Sequence, residues 1–138
     1  MTSVEKAVAQ FETPSACSQS VAYAFAEDVG LDPALVHRMT TGFGGGIGGK
    51  QYACGAVTGG VFILSAKFGS SGPEEAEAKA LTKEKTAAFV EAVEARLGSS
   101  SCRGILGTDL EDADARGLYS TICAGAVRVC AEELEKLL

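Results

Sequence analysis

The chain has no tryptophan, three prolines and one histidine in 138 residues, and its basic residues form no run of five or more. Its 12 lysines and arginines stand against 18 aspartates and glutamates, which gives a formal net charge of -6. Nucleic acids and anionic membranes are bound by clustered positive charge, so neither is a predicted partner. His37 reads as an ordinary surface or partly buried helix residue, so hydrolysis with an imidazole base is not predicted and no residue is assigned a catalytic role.

Long hydrophobic segments are also missing. The longest apolar run, residues 53–66, is too short to cross a bilayer and is read as a buried helix. Residues 1–13 carry charges where a signal peptide has its apolar core, so the sequence predicts a protein that is not exported and works in the cytoplasm. The length predicts one domain, residues 1–138, built around one core.

No segment shows the period-two alternation that is typical of strands, whereas apolar residues recur at helical spacing along most of the chain. The sequence therefore predicts an all-α fold, a compact bundle of about six helices. The predicted helices cover residues 2–12, from Ser15 to Gly30, 33–41, 52–69, 73–97 and 120–137. Two short stretches fall outside these helices: a turn that starts at Cys102, and a polar loop at 108–117 containing one helical turn.

The helix predicted at residues 52–69 is apolar on nearly all sides. A helix without a polar face must be enclosed by other helices, so this one is predicted to lie at the centre of the bundle. Gly55 and Gly59 lie one turn apart on it, and their missing side chains predict that a neighbouring backbone approaches closely there.

The glycine-rich stretch GFGGGIGGKQ, residues 42–51, matches two loose nucleotide-binding patterns. A phosphate loop of the GxxxxGK type needs a preceding strand and a hydroxyl residue after the lysine, but Gln51 follows Lys50. The GxGxxG pattern needs a βαβ unit, and no strand is predicted. Nucleotide binding is therefore not predicted.

Two other interpretations of the glycines stay open. In one, the glycines only let the chain turn between two helices. In the other, their N–H groups converge on an anion or a sulfur atom at the start of the next helix, where Cys54 lies. The candidate cofactor-binding residues of the second interpretation are Gly42, Gly44, Gly45, Gly46 and Gly48.

Five cysteines are many for a chain without a predicted signal peptide. In a reducing compartment they indicate metal binding or catalysis more than structural disulfides, and the odd number disfavours complete pairing. Four of them fall near the predicted start of a helix, where unpaired N–H groups stabilise the thiolate that binds metals. These four are Cys17, Cys54, Cys102 and Cys123.

Cys130 differs from the other four. It lies two helical turns from Cys123, about 10 Å along the axis, whereas sulfurs around one metal are about 4 Å apart. Cys130 is therefore predicted to be a buried apolar residue. The alternative that the other cysteines also merely fill the core stays open, because the chain contains no CxxC pair.

The segments at 17–32, 41–60 and 101–110, followed by Cys123, resemble the C_GCAxxG_C_C family of redox proteins over residues 15 to 137. The family's four cysteines correspond to the four named above. One departure is local, since the family pattern has Gly-Cys-Ala where this chain has Ala53-Cys54-Gly55.

The resemblance implies a redox or electron-transfer protein. A similar domain is joined to a cytochrome of the split-Soret type, which implies a 2Fe–2S cluster held by Cys17, Cys54, Cys102 and Cys123. Two alternatives stay open: a cofactor-free thiol–disulfide protein, and a structural zinc or ligand-binding module. The expected partner is a redox protein whose identity the residues do not specify, and a homodimer is compatible with the apolar central helix.

Overall fold

Eight α-helices and no β-strand make up the chain, in a computed structural model that describes residues 1–138. The predicted all-α fold is confirmed. Single turns of 3₁₀-helix at Glu27–Val29 and Thr41–Phe43 and a π-helical turn at Tyr119–Cys123 connect some of the helices. The helices are α1 (Ser3–Phe11), α2 (Cys17–Phe25), α3 (Pro33–Met39), α4 (Gly55–Phe68), α5 (Ala76–Leu97), α6 (Cys102–Leu106), α7 (Leu110–Ala115) and α8 (Ala124–Leu137).

The number of helices exceeds the predicted six because α6 and α7 are helices of their own. Each begins at a polar cap: the Ser101 side chain accepts a hydrogen bond from the N–H of Gly104, and Asp109 accepts one from Asp112. Side-chain caps of this kind satisfy N–H groups that a helix start leaves unpaired. Helices of five and six residues are too short to show an apolar period, so the sequence predicted only a turn starting at Cys102 and one helical turn within 108–117.

Several predicted helix ends are confirmed. Asp32 caps α3, and Gly98 ends α5 in the left-handed region with a φ of 80°. Gly30 is also left-handed, although the 3₁₀ turn separates it from the end of α2. The predicted Ser15 cap is wrong, because α2 begins after Ala16, whose N–H donates to the Gln19 side chain.

The apolar helix α4 lies at the centre of the fold, as predicted, and packs against α2, α5 and α8. None of its first ten residues is exposed. It begins at Gly55, later than the predicted residue 52, because Ala53 pairs with Ser101 in an extended conformation. No helix of the chain has the length and apolar character that crossing a bilayer requires.

Gly55 and Gly59 bring α4 into backbone contact with α2, which confirms the predicted close approach. A Cβ atom on Gly59 would lie 2.6 Å from the carbonyl oxygen of Ser18, and one on Gly55 would lie 3.0 Å from the Ser18 nitrogen. The same Cβ on Gly55 would lie 3.2 Å from the Cβ of Cys17. The contact therefore places the start of α2 directly against the start of α4.

Replacing Gly59 by alanine is expected to lower the free energy of unfolding by about 1–3 kcal/mol, because the added methyl group overlaps the α2 backbone. Gly125 in α8 is a matched control, since it is exposed and a Cβ there meets nothing within 4 Å. Gly125→Ala is expected to raise the free energy of unfolding by about 0.5–1 kcal/mol, because alanine favours the helix over glycine. Urea unfolding followed by circular dichroism measures both, and equal effects of the two variants would contradict the close approach.

Candidate cysteine site

Four of the five cysteines line one cavity of about 790 Å³. They come from four places in the chain: the start of α2, the residue before α4, the start of α6, and the π-helical turn before α8. They are the four cysteines singled out from the sequence: Cys17, Cys54, Cys102 and Cys123. Cys130 does not line the cavity and is fully buried in the core, as predicted.

The backbone ties Cys54 to Cys102. The N–H of Cys54 donates to the carbonyl of Ser100 at 2.8 Å, and the N–H of Cys102 donates to that of Tyr52 at 2.6 Å. These two bonds flank the antiparallel pairing of Ala53 with Ser101, the only β-bridge in the chain. Two segments far apart in the sequence are thus held side by side, each with a cysteine next to the paired residue.

The thiols of Cys17 and Cys123 form the second pair, because each is the main influence on the pKa of the other. Cys17 is the first residue of α2, as the sequence predicted. The last helix is predicted from residue 120, and its helical turn begins at Tyr119, so Cys123 lies near the helix start as predicted. The Cys123 N–H nevertheless donates to the Leu118 carbonyl, and the Cys17 thiol is the main cause that lowers the pKa of Cys123.

The glycine-rich loop turns through consecutive left-handed residues. The φ values of Gly45, Gly46, Gly48 and Gly49 lie between 59° and 74°, a conformation that side chains disfavour, and Ile47 shares it with a φ of 68°. Of the five predicted glycines, Gly45 and Gly46 line the cavity. The other three, Gly42, Gly44 and Gly48, do not, and the loop closes on itself through bonds such as Gly48 N–H to the Gly42 carbonyl.

The loop contacts Cys102 rather than Cys54. A Cβ atom on Gly46 would lie 2.8 Å from the Cβ of Cys102. The backbone donors at Cys54 are instead the N–H groups of Ala56 and Val57, in the first turn of α4. The interpretation that the glycine amides converge on an acceptor at Cys54 stays a prediction, and the Ala53–Ser101 pairing adds Cys102 as a neighbour of the loop.

Gly45 and Gly46 leave their backbone N–H groups without a hydrogen-bond partner in the protein. Gly46 is buried, and both glycines face the cavity that the four cysteines line. A buried N–H without an acceptor costs about 1–3 kcal/mol, and most such groups in folded proteins are paired. The two N–H groups are therefore suited to an anionic or sulfur acceptor bound in the cavity.

The two thiols of the Cys17–Cys123 pair differ in acidity. The hydrogen bond to Cys123 is the main cause that raises the pKa of Cys17 well above its usual value, followed by burial. The same bond lowers the pKa of Cys123, because the Cys17 thiol donates to the Cys123 thiolate. Cys17 thus keeps its proton, and Cys123 is the member of the pair that ionises first.

Burial controls the other two thiols. It raises the pKa of Cys102 to about 11 and raises that of Cys54, where the N–H groups of Ala56 and Val57 oppose it in part. Burial is also the main cause that raises the pKa of Tyr119, whose hydroxyl donates to the Leu110 carbonyl at 3.0 Å.

No basic side chain lines the cavity, and Glu12 is the only charged residue in its wall. Four thiolates gathered in one cavity without a positive charge nearby would repel one another, so the metal-free site favours protonated thiols. Nor are any three His, Cys, Asp or Glu side chains grouped closely enough to hold one metal ion. A single-ion site of the zinc type is therefore not preassembled.

The sequence did not identify Gln51 as a residue of the site. In the sequence, Gln51 only stands at the position where a phosphate loop needs a hydroxyl residue. The Gln51 side chain hydrogen-bonds the Cys102 thiol, which lowers the pKa of that thiol in part, and its Nε2 donates to the Thr108 carbonyl at 2.7 Å. Its φ of 56° is unusual for a residue with a side chain, and no sequence pattern indicated that conformation.

His37 lies behind the cavity wall rather than in it. Its Nε2 is 3.0 Å from the hydroxyl of Ser15, which does line the cavity, and its ring meets Tyr23 edge to face. His37 is partly buried in α3, so the interpretation of an ordinary helix residue is confirmed.

Comparison with known proteins supports the resemblance. The model of the family described as "putative redox-active protein (C_GCAxxG_C_C)" matches residues 15–137, which include all four cavity cysteines. No curated protein and no solved structure matches the chain.

Cys123 is expected to be the first cavity thiol alkylated by iodoacetamide as the pH of the reduced, metal-free protein is raised, whereas Cys102 reacts only as the pH approaches about 11. Cys17→Ala removes the hydrogen-bond donor and is expected to move the Cys123 profile to higher pH. Cys17→Ser is the matched control because its hydroxyl still donates. Peptide mass spectrometry measures each rate, and an unchanged Cys123 profile in Cys17→Ala would contradict the pairing.

Proposed function

The chain belongs to the C_GCAxxG_C_C family, and on that basis we propose that it is a redox protein whose four cavity cysteines hold a 2Fe–2S cluster. The observation that carries the proposal is the convergence of Cys17, Cys54, Cys102 and Cys123 on one cavity. Their segments are spread over the chain, and four elements of the fold are needed to bring them together.

The donor set suits such a cluster. Four thiolates are the usual ligands of a 2Fe–2S cluster, with two sulfurs at each iron. The four cysteines occur as two pairs, Cys54 with Cys102 through the backbone and Cys17 with Cys123 through the thiols. Each iron of the cluster needs only two cysteine sulfurs, whereas a zinc ion needs at least three side chains around it, and no three such side chains are grouped here.

The charge balance also supports a metal centre. The wall of the cavity offers no cation, so the thiols can all ionise only when a bound metal takes the place of their protons. The unpaired N–H groups of Gly45 and Gly46 and the first-turn N–H groups of Ala56 and Val57 are donors for the sulfur atoms of an anionic centre. Such donors also tune the potential of a cluster.

A bound 2Fe–2S cluster would supply the transfer of one electron at a time. The residues of this chain hold the thiols in place, limit the access of water through burial, and donate hydrogen bonds. We place the protein in the cytoplasm with a redox protein as its partner, and the homodimer stays a prediction.

A second candidate function is favoured by the pairing of the Cys17 and Cys123 thiols, which line the same cavity and whose pKa values depend mainly on each other. Two thiols in contact can form a disulfide, giving two electrons and two protons to an oxidant such as a small-molecule disulfide. The lowered pKa of Cys123 makes it the attacking thiolate, with Cys17 as the thiol that closes the bond. This chemistry needs no cofactor.

Alanine substitutions at the five cysteines separate these functions. In anaerobically purified protein, Cys17→Ala, Cys54→Ala, Cys102→Ala and Cys123→Ala are each expected to lose most of the iron, acid-labile sulfide and visible absorbance. Cys130→Ala is the matched control and keeps them, because Cys130 lies in the core. Iron, zinc and sulfide are measured per folded chain.

Two other results would contradict the cluster. Zinc without sulfide would indicate the structural metal site. A metal-free protein that loses two free thiols on mild oxidation, but none in Cys17→Ala, would indicate the thiol–disulfide function.

Gly46→Ala is expected to reduce the bound iron strongly, since its Cβ would overlap the Cβ of Cys102 and the backbone of Gln51 and Tyr52. Gly48→Ala is the control: its φ is also positive, at 59°, but a Cβ there meets nothing within 4 Å and it does not line the cavity. The control is expected to lose only about 1–2 kcal/mol of stability. Equal loss of iron in both variants would show that strain in the loop, not contact with the site, is responsible.

A further inference from the structure

The cavity has more room than a cluster needs. Two iron and two sulfide atoms, each taking roughly the 30 Å³ of a water molecule, fill on the order of 100 Å³. The cavity measures about 790 Å³. The space that remains lies within the usual range of small-molecule sites, about 300–1,000 Å³.

The wall of this space is mainly apolar. Val8 and Phe11 of α1, Ile105 of α6 and Leu110 of α7 all line it and are only half-buried, so each leaves apolar surface in contact with water. These side chains come from the side of α1 and from two short helices. An apolar molecule in the cavity would remove this surface from water, which favours its binding.

Charge excludes most other ligands. Glu12 is the only charged residue in the wall, and no lysine, arginine or histidine contributes to it. The chain as a whole has a net charge of -6. Nucleotides, phosphate esters and carboxylates would meet negative charge without a cation to balance it, so the ligand that fits is uncharged.

One hydroxyl in the wall is oriented by a hydrogen-bond network behind it. The Gln19 Oε1 accepts the Ala16 N–H at 2.9 Å. The Gln19 Nε2 donates to Thr41 Oγ1 at 2.9 Å and to the His37 carbonyl at 3.1 Å, with His37 Nδ1 at 3.3 Å. An NH₂ group beside Nδ1 favours the ring proton on Nε2, which then donates to Ser15 at 3.0 Å. Thr13 gives its own hydroxyl proton to the Gln10 carbonyl, so the Ser15 hydroxyl donates to Thr13 at 3.0 Å and turns away from Thr13 to donate to an acceptor in the cavity.

We propose that the cavity binds an uncharged, mainly apolar small molecule with a carbonyl acceptor, of the quinone type, next to the four cysteines. Its rings contact Val8, Phe11, Ile105 and Leu110, and Ser15 donates to its carbonyl oxygen. This inference rests on the proposed redox function, which gives a quinone beside the cysteines its role as an electron carrier.

Isothermal titration calorimetry tests the binding with 2,3-dimethyl-1,4-naphthoquinone, whose substituted ring resists addition of thiols. The titration uses both the anaerobically purified protein and the reduced, metal-free protein. Saturable binding of one quinone per chain is expected. Anthraquinone-2-sulfonate is expected to bind at least about tenfold more weakly, since its negative charge has no counterpart in the wall.

Val8→Phe fills the cavity and is expected to weaken quinone binding by about tenfold or more. Val4→Phe is the matched control, because Val4 lies one turn away on the same helix and does not line the cavity. Circular dichroism checks the folding of both. If Val8→Phe does not fold, protection of Cys17 and Cys123 from iodoacetamide by the quinone in the unsubstituted protein reports the same occupancy.

The outcomes separate this inference from the proposed cluster. No binding to either form, or equal binding to Val8→Phe and the unsubstituted protein, overturns the quinone site even when iron and sulfide are present. Quinone binding to a protein that never contains iron or sulfide overturns the cluster and leaves the quinone site standing. Tight binding of the sulfonate would overturn the uncharged class of ligand.

Discussion

The contact between the backbones of α2 and α4 is the constraint on which the site depends. Gly55 and Gly59 of α4 have no side chains, so α2 approaches until Ser18 touches them. Because none of the first ten residues of α4 is exposed and the helix packs against α5 and α8, it cannot shift without disturbing these helices as well. The same contact fixes Cys17 beside the start of α4, which follows Cys54. Core packing therefore positions two of the four cysteines.

The site combines four thiols with a wall that has no cation. Burial raises the pKa of Cys54 and Cys102 despite partly opposing hydrogen bonds, and only Cys123 has a lowered pKa, through Cys17. Without a ligand, the cavity keeps thiol protons and the buried Gly46 N–H has no acceptor. A bound metal–sulfur centre would replace the thiol protons and would accept a hydrogen bond from the Gly46 N–H. This is the physical reason for preferring a cluster.

The sequence predicted those parts of the fold that depend on local patterns. The apolar period located the central helix and the end of α5 at Gly98, and the glycines at 55 and 59 indicated the close approach. The family resemblance and helix geometry selected the four cysteines that line the cavity and set Cys130 apart. A long apolar helix and a left-handed glycine each have a cause within a few residues, so the sequence is informative about them.

Features that depend on distant contacts were not predictable in this way. The pairing of Ala53 with Ser101 leaves no local pattern, yet it turns the glycine loop toward Cys102 and delays the start of α4. The π-helical turn that contains Cys123 and the left-handed conformation of Gln51 likewise have no local pattern in the sequence. The short helices α6 and α7 form through their caps, which a period cannot reveal.

Native mass spectrometry of the anaerobically purified protein tests the central claim most directly, because it weighs whatever one chain holds. The account predicts a folded chain whose added mass equals two irons and two sulfides. Appearance of the bare chain alone, or of a chain carrying a single zinc ion, would contradict it.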